Sequence, residues 1–120
     1  WMTALIPLYL KTTYKNDPVF KDTKSVFTVY NNVFEHKFDE GIIEKAKAMD
    51  VSDEMLANLR SADFSGFIKI GAQYADAVVK ANENMNESLN QIFDELAAKK
   101  IDAGFEDENV AETYYNLYTE

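Results

Sequence analysis

The sequence predicts an α/β fold, a partial Rossmann-like domain that is helix-rich and contains a few parallel strands. Several segments place apolar residues at the spacing of an amphipathic helix. Two short apolar runs, Ser25–Val29 and Ala77–Ala81, contain no turn former and are typical of buried strands. Because these runs alternate with the helical segments, they indicate strands that lie parallel in one sheet.

The first half of the chain contains three helical patterns and one strand. Thr3–Tyr14 carries apolar residues on one face, and a proline near its start is tolerated in a helix. The strand Ser25–Val29 follows a polar turn. Asp39–Met49 has an apolar stripe at helical spacing, and Ser52 is a good N-cap for a further helix over Asp53–Leu59.

The second half repeats this alternation. A helix over Ser65–Tyr74 precedes the second strand, and its Gly71 is expected to permit close packing of the helix on a strand. Asn82 is expected to cap a long helix that runs to about residue 99, because apolar residues recur there at helical spacing. Ile101–Phe105 is expected to form a third short strand, and Glu108–Tyr118 the last helix.

The composition indicates one folded domain and narrows its possible partners. The 120 residues are 47% hydrophobic and 13% aromatic, which favours a packed core over disorder. A net charge of -9, from 21 acidic and 12 basic residues, disfavours nucleic acid and anionic membranes as partners. Because the chain has no cysteine and one histidine, we expect no disulfide framework and no metal site.

The candidate site lies where the first predicted strand ends. Tyr30 and Asn31 follow the last apolar residue of that strand. In open α/β sheets, ligands bind at the carboxyl ends of parallel strands. We therefore expect this end of the strand to present polar side chains to a ligand.

Three segments resemble the bacterial glycogen synthase and plant starch synthase family, and they occur in that family's order. Trp1–Lys11 is similar to the family's Asp-Trp-x-Thr-Ala-Leu-x-Pro-x-Tyr-Leu. Ser25–Asp39 is similar to Val-Phe-Thr-Ile/Val-His-Asn-Leu-Ala-Tyr-Gln-Gly-x-Phe. Phe67–Val79 resembles Phe-Leu-Lys-Gly-Gly-Ile-x-Tyr-Ala-Asp-x-Val-Thr, so the three segments together span residues 1 to about 80.

The resemblance implies the arrangement called GT-B, in which two Rossmann-like domains face a cleft. It implies that glucose passes from ADP-glucose or UDP-glucose, with ADP-glucose favoured, to the nonreducing end of an α-1,4-glucan. Such a retaining hexosyltransferase uses no metal or other cofactor. Residues 1–120 would form part of the N-terminal, acceptor-side domain, and the second domain would lie outside the chain.

The same resemblance implies roles for individual residues. Tyr30 occupies the position of the family's histidine, which contacts the transferring sugar, and is the candidate catalytic residue. Asn31 matches the family's asparagine, and with Glu35 and His36 it forms the candidate substrate-binding set. A strand-end tyrosine packed on a helix, and an asparagine that holds a turn, are the structural alternatives for Tyr30 and Asn31.

Three functions remain open from the sequence. We favour a fragment of a cytoplasmic glycogen or starch synthase that is inactive when isolated and that self-associates into a homo-oligomer. The first alternative is a noncatalytic glucan-binding module of the same fold, since a tyrosine cannot readily replace a histidine as a base. The second is a small protein that acts through protein contacts at its tyrosine-rich end.

Overall fold

A parallel sheet is the centre of the fold, and its strands lie in the order β1–β2–β3. The computed structural model describes residues 1–48, 50–96, 99–102 and 108–120. Within these residues, β1 is Val26–Val29, β2 is Ala77–Lys80 and β3 is Lys99–Asp102. The register places Val26 beside Ala77, and Ala77 beside Lys99. This parallel sheet confirms the α/β prediction.

Five α-helices and one 3-10 helix accompany the sheet in the part of the chain that is described. In chain order they are α1 (Ile6–Lys11), α2 (Gly41–Ala46), the 3-10 helix (Ala57–Ser61), α3 (Phe64–Tyr74), α4 (Glu87–Glu95) and α5 (Val110–Thr119). None of the described helices is long and apolar enough to cross a lipid bilayer.

One face of the sheet carries the main core. Phe27, Val29 and Val78 point into it and pack with buried residues of α1, α3, α4 and the 3-10 helix. At Gly71 a Cβ would come within 2.7 Å of the Phe27 ring and 3.1 Å of the Ala4 carbonyl oxygen. The glycine therefore lets α3 approach β1 closely, as the sequence predicted for this position.

The opposite face of the sheet is covered by α5. Leu117 of this helix is buried against Ala77 and Val79 of β2, and Tyr114 packs at the margin of the same small cluster. Along each strand, neighbouring side chains alternate between the two faces, which is why β1 and β2 contribute to both cores.

The predicted long helix from Asn82 to residue 99 is wrong at both ends. The helix observed there, α4, begins at Glu87 and ends at Glu95, and Asn86 is its N-cap. The Asn86 side-chain oxygen accepts hydrogen bonds from the backbone N–H and the hydroxyl of Ser88. Asn82 does not cap α4, because its side-chain oxygen accepts the backbone N–H of Asn31 instead.

Other predicted boundaries shift by a few residues. The helical hydrogen-bond pattern of α1 and α2 covers less than predicted, because turns flank α1 and the extended backbone of Lys47 ends α2. Met49 of the predicted helix lies outside the described residues. Ser52 does accept the backbone N–H of Met55, but turns and a 3-10 helix follow it instead of an α-helix. The third strand begins at Lys99, and residues 103–105 of its predicted extent are not described.

Candidate functional site at the carboxyl ends of β1 and β2

The polar residues that follow β1 and β2 lie together at the carboxyl edge of the sheet. The strand pairing continues one step past β2, because the Ala81 backbone N–H donates to the Val29 carbonyl oxygen at 3.0 Å. Tyr30 and Asn31 then leave β1 while Asn82 leaves β2. All three side chains are exposed, so this edge presents polar groups to solvent.

Asn31 is the centre of a hydrogen-bonded cluster. Its backbone N–H donates to the Asn82 side-chain oxygen at 3.0 Å. Its side-chain Nδ2 donates to the Asn84 carbonyl oxygen at 3.2 Å, and its Oδ1 accepts the Asn86 backbone N–H at 2.9 Å. Asn31 therefore ties the end of β1 to the segment that connects β2 to α4, and does not hold a turn of its own.

Tyr30 lies near the tyrosines of α5. The Tyr114 and Thr28 hydroxyls are 2.6 Å apart, and Thr28 precedes Tyr30 by two residues on the same face of β1. Burial raises the pKa of Tyr114, and the neighbouring phenols of Tyr30 and Tyr118 raise it further against the Thr28 hydrogen bond. The Tyr30 side chain is 45% exposed, so it can contact a ligand although a helix lies beside it.

Glu35 and His36 lie on the loop between β1 and α2, and both are exposed. This loop is held at Phe34 and Phe38, whose rings belong to an aromatic cluster with centroid separations of 5.0–5.8 Å. The cluster consists of Trp1, Phe34, Phe38, Phe64 and Phe67.

The loop is also fixed through its backbone. The Phe38 N–H donates to the Ala62 carbonyl oxygen at 2.7 Å, which joins the loop to the start of α3. The structure thus anchors the residues on both sides of Glu35 and His36 to the main core, and it leaves those two side chains at the surface.

The polar side chains at this edge offer hydrogen bonds to a ligand. A phenol at Tyr30 can donate to a sugar hydroxyl, and amides can both donate and accept. Within the described ranges, no group of three or more histidine, aspartate or glutamate side chains is placed to hold a metal ion.

The third segment that resembles the family, Phe67–Val79, contains Asp76. Asp76 lies at the amino edge of the sheet and not at the candidate site. Its carboxylate accepts the Ser25 backbone N–H at 2.8 Å and the Lys11 ammonium at 2.7 Å. Asp76 thereby joins the segments that begin β1 and β2 to the end of α1, which is a structural role.

Sequence reasoning missed the partners of the candidate residues. It assigned Asn82 to a helix cap and did not connect Asn84 or Asn86 with Asn31. One signal in the sequence could have pointed to these partners. Asparagines recur at positions 82, 84 and 86, directly after the second predicted strand, just as Asn31 follows the first. The aromatic cluster was also missed, because its five rings come from three separate segments.

Comparison with known proteins identifies the family. Residues 1–101 match the family model described as the starch synthase catalytic domain. The chain therefore belongs to this family of glycosyltransferases. The match covers all three sequence motifs, β1, β2 and all but the last residue of β3, and it ends before α5.

Several curated glycogen synthases are similar to the chain. The glycogen synthase of Pseudothermotoga lettingae is 32% identical over 92 residues, which is 74% of this chain and 18% of that protein. The glycogen synthase of Thermotoga maritima is 35% identical over 92 residues, with the same coverage of 74% and 18%. The glycogen synthase of Clostridium botulinum strain Eklund 17B is 31% identical over 90 residues, 74% of this chain and 19% of that protein.

The chain spans less than a fifth of the length of these curated relatives, 18–19% in each case. No solved structure matches the chain significantly. Each of these similarities therefore covers only a small part of the relative.

Proposed function

We propose that this chain forms part of the acceptor-side domain of a glucosyltransferase that extends an α-1,4-glucan. The observation that carries the proposal is the position of Tyr30 and Asn31. They follow β1 at the edge where α/β sheets bind ligands, in a chain whose residues 1–101 match the starch synthase catalytic domain. The donor is a nucleotide sugar, with ADP-glucose favoured, and the reaction retains configuration without a metal or other cofactor.

The proposal includes the two-domain GT-B arrangement, with a second domain that binds most of the donor. On its own this chain should then be inactive, because transfer requires the leaving diphosphate to be neutralised. The sequence has four glycines, none closer than five positions to the next, and so lacks the Gly-rich pattern of a phosphate-binding loop; the net charge of -9 also opposes binding of a diphosphate. The cytoplasm is the location that this function suggests.

A sugar titration tests the proposal on the chain itself. In a ¹⁵N-labelled sample, maltoheptaose should shift the amide signals of Tyr30, Asn31 and their neighbours in the segment after β2. Tyr30→Phe should weaken binding by about 0.5–1.5 kcal/mol, the value of one hydrogen bond. Tyr14→Phe is the matched control, because Tyr14 is also 45% exposed but lies beyond the end of α1.

Two outcomes would count against the proposal. Amide signal shifts confined to residues away from the carboxyl edge of the sheet would show that the glucan does not bind at this edge. Release of ADP from ADP-glucose by the purified chain, above that of a Tyr30→Phe, Asn31→Ala double variant, would contradict the need for a second domain.

The noncatalytic alternative is supported by Tyr30 itself. A tyrosine at the family's histidine position retains a hydroxyl for binding but cannot readily replace a histidine as a base. In a longer protein that carries this chain, glucan binding without any transfer of glucose would favour the alternative. Turnover that falls modestly in Tyr30→Phe would favour the glucosyltransferase.

We further propose that the chain self-associates when it is isolated. Large apolar side chains are exposed at several points, with Met2 82%, Val19 76% and Tyr115 68% accessible. Symmetric pairing of such surfaces is the common route to a closed dimer. Sedimentation at tens of micromolar should give a dimer or a small oligomer, and a strictly monomeric mass would contradict this expectation.

A further inference from the structure

Four asparagines form one hydrogen-bonded cluster at the carboxyl edge of the sheet. This asparagine cluster consists of Asn31, Asn82, Asn84 and Asn86. Three bonds of 2.9–3.2 Å run from Asn31, two residues after the end of β1, to the segment 82–86, which connects β2 to α4. The cluster therefore fixes the position of a second segment relative to Tyr30.

The contacts of Asn31 are intramolecular at both ends of its amide. The Oδ1 atom accepts the Asn86 N–H, and the Nδ2 atom donates to the Asn84 carbonyl oxygen. Rotation of this amide toward a ligand would break both bonds. A direct sugar contact is thus a costly role for Asn31, and a structural connection is the role that its geometry serves.

The segment 82–86 has the chemistry of a sugar-binding wall. Asn82, Glu83 and Asn84 are exposed, and their amide and carboxylate groups can donate to and accept from sugar hydroxyls. Met85, in contrast, is buried in the main core, which anchors the middle of the segment.

We propose that Asn31 is a positioning residue that holds the segment 82–86 as the second wall of the sugar site beside Tyr30. This inference rests on the proposed function, because the site is taken to bind an α-glucan. Asn86 extends the effect of Asn31 to α4, since it both donates to Asn31 and caps the helix through Ser88. A change at Asn31 should then alter the segment first and sugar binding as a consequence.

Amide hydrogen exchange tests the connection without any sugar. Asn31→Ala removes the acceptor of the Asn86 N–H, and exchange at Asn86 should accelerate about tenfold, the effect of losing roughly one hydrogen bond. Asn31→Asp retains an acceptor oxygen and should preserve most of this protection. Asn32→Ala, a change at the adjacent exposed asparagine, should leave the exchange at Asn86 unchanged.

A double-mutant cycle with maltoheptaose separates positioning from direct contact. If Asn31 acts through the segment, Asn31→Ala and Asn82→Ala should each weaken maltoheptaose binding several-fold. The double variant should then bind maltoheptaose only slightly more weakly than the single variant with the lower affinity. Fully additive losses would mean that Asn31 contacts the sugar independently, and would overturn the proposal.

The remaining outcomes are also decisive. Unchanged exchange at Asn86 in Asn31→Ala, or unchanged maltoheptaose affinity in that variant, would overturn the positioning role alone. Failure of the unsubstituted chain to bind maltoheptaose would overturn the proposed function and the sugar-binding part of this inference together, even if exchange at Asn86 accelerates.

Discussion

The two ends of the β1–β2 pair are held by polar side chains of different chemistry. At the amino end, the Asp76 carboxylate accepts hydrogen bonds from Ser25 and Lys11. At the carboxyl end, the neutral amide of Asn31 bonds to the backbone at Asn84 and Asn86. The amino end depends on a charge that acid removes, whereas the carboxyl end contains no titrating group in its connections.

The pKa of Asp76 makes this difference measurable. Partial burial by itself would raise the pKa of Asp76, but hydrogen bonds from Lys11 and Ser25 outweigh burial and lower the pKa below its ordinary value of 3.8. A carboxyl whose pKa is lower in the folded state stabilises the fold above the ordinary value. This stabilisation is lost as the pH falls through the folded-state pKa, while the amide connections at the carboxyl end persist.

The largest effect should come from a change that disturbs both ends together. Gly71→Ala places a methyl group 2.7 Å from the Phe27 ring, between α3 and β1. Overpacking of this kind should lower the free energy of unfolding by about 1–3 kcal/mol, measured by urea denaturation. Gly41→Ala is the control, because its methyl group meets only the Asp39 carboxylate. Equal stability of the two variants would contradict the close approach of α3 to β1.

Asn31→Ala should affect the carboxyl end alone. Loss of two side-chain hydrogen bonds should lower the free energy of unfolding by about 1–2 kcal/mol. The loss should be the same at pH 4 and pH 7, because no charge is involved in these bonds. A loss that changes with pH would mean that a titrating group supports this end as well.

Asp76→Asn should affect the amino end, and its effect should depend on pH, unlike that of Asn31→Ala. The variant removes the charge that attracts Lys11 and weakens the bonds to Ser25. The substitution should lower the free energy of unfolding by about 0.5–1.5 kcal/mol at pH 7, and by progressively less as the pH falls below about 4. Denaturation curves of variant and unsubstituted chain across this range measure the difference, and a constant gap at every pH would refute the assignment.

The smallest effect should come from Lys11→Met. The Lys11 and Asp76 side chains are 36% and 39% exposed, so water screens their ion pair. We expect Lys11→Met to lower the free energy of unfolding by about 0.2–1 kcal/mol, because the Ser25 hydrogen bonds to Asp76 remain. This loss should become smaller in high salt, which screens the ion pair. A loss as large as that of Asp76→Asn would assign the whole amino-end contribution to the ion pair.

Local sequence was sufficient for the strands and for most helix positions. Val26–Val29 and Ala77–Lys80 lie inside the predicted strands, and α3 begins one residue before its predicted start. These elements were predictable because apolar periodicity and β-branched residues act over a few neighbours. For the candidate site, the sequence predicted only its place at the carboxyl edge of the sheet, because polar residues that follow a buried strand emerge at that end. The contacts between the residues of the site were not predictable in this way.

Sequence by itself determined the α/β class, the two central strands, the glycine at the α3–β1 contact and the membership of a glycosyltransferase family. The tertiary structure decided that Asn82 serves Asn31, that Asn86 caps α4, and that α5 brings Tyr114 to Thr28. The contacts of Asn31 and the contact between Thr28 and Tyr114 join residues 51–86 positions apart in the chain. An asparagine can cap a helix, hold a turn or bond to a distant strand with similar energy, so only the assembled sheet selects among these partners.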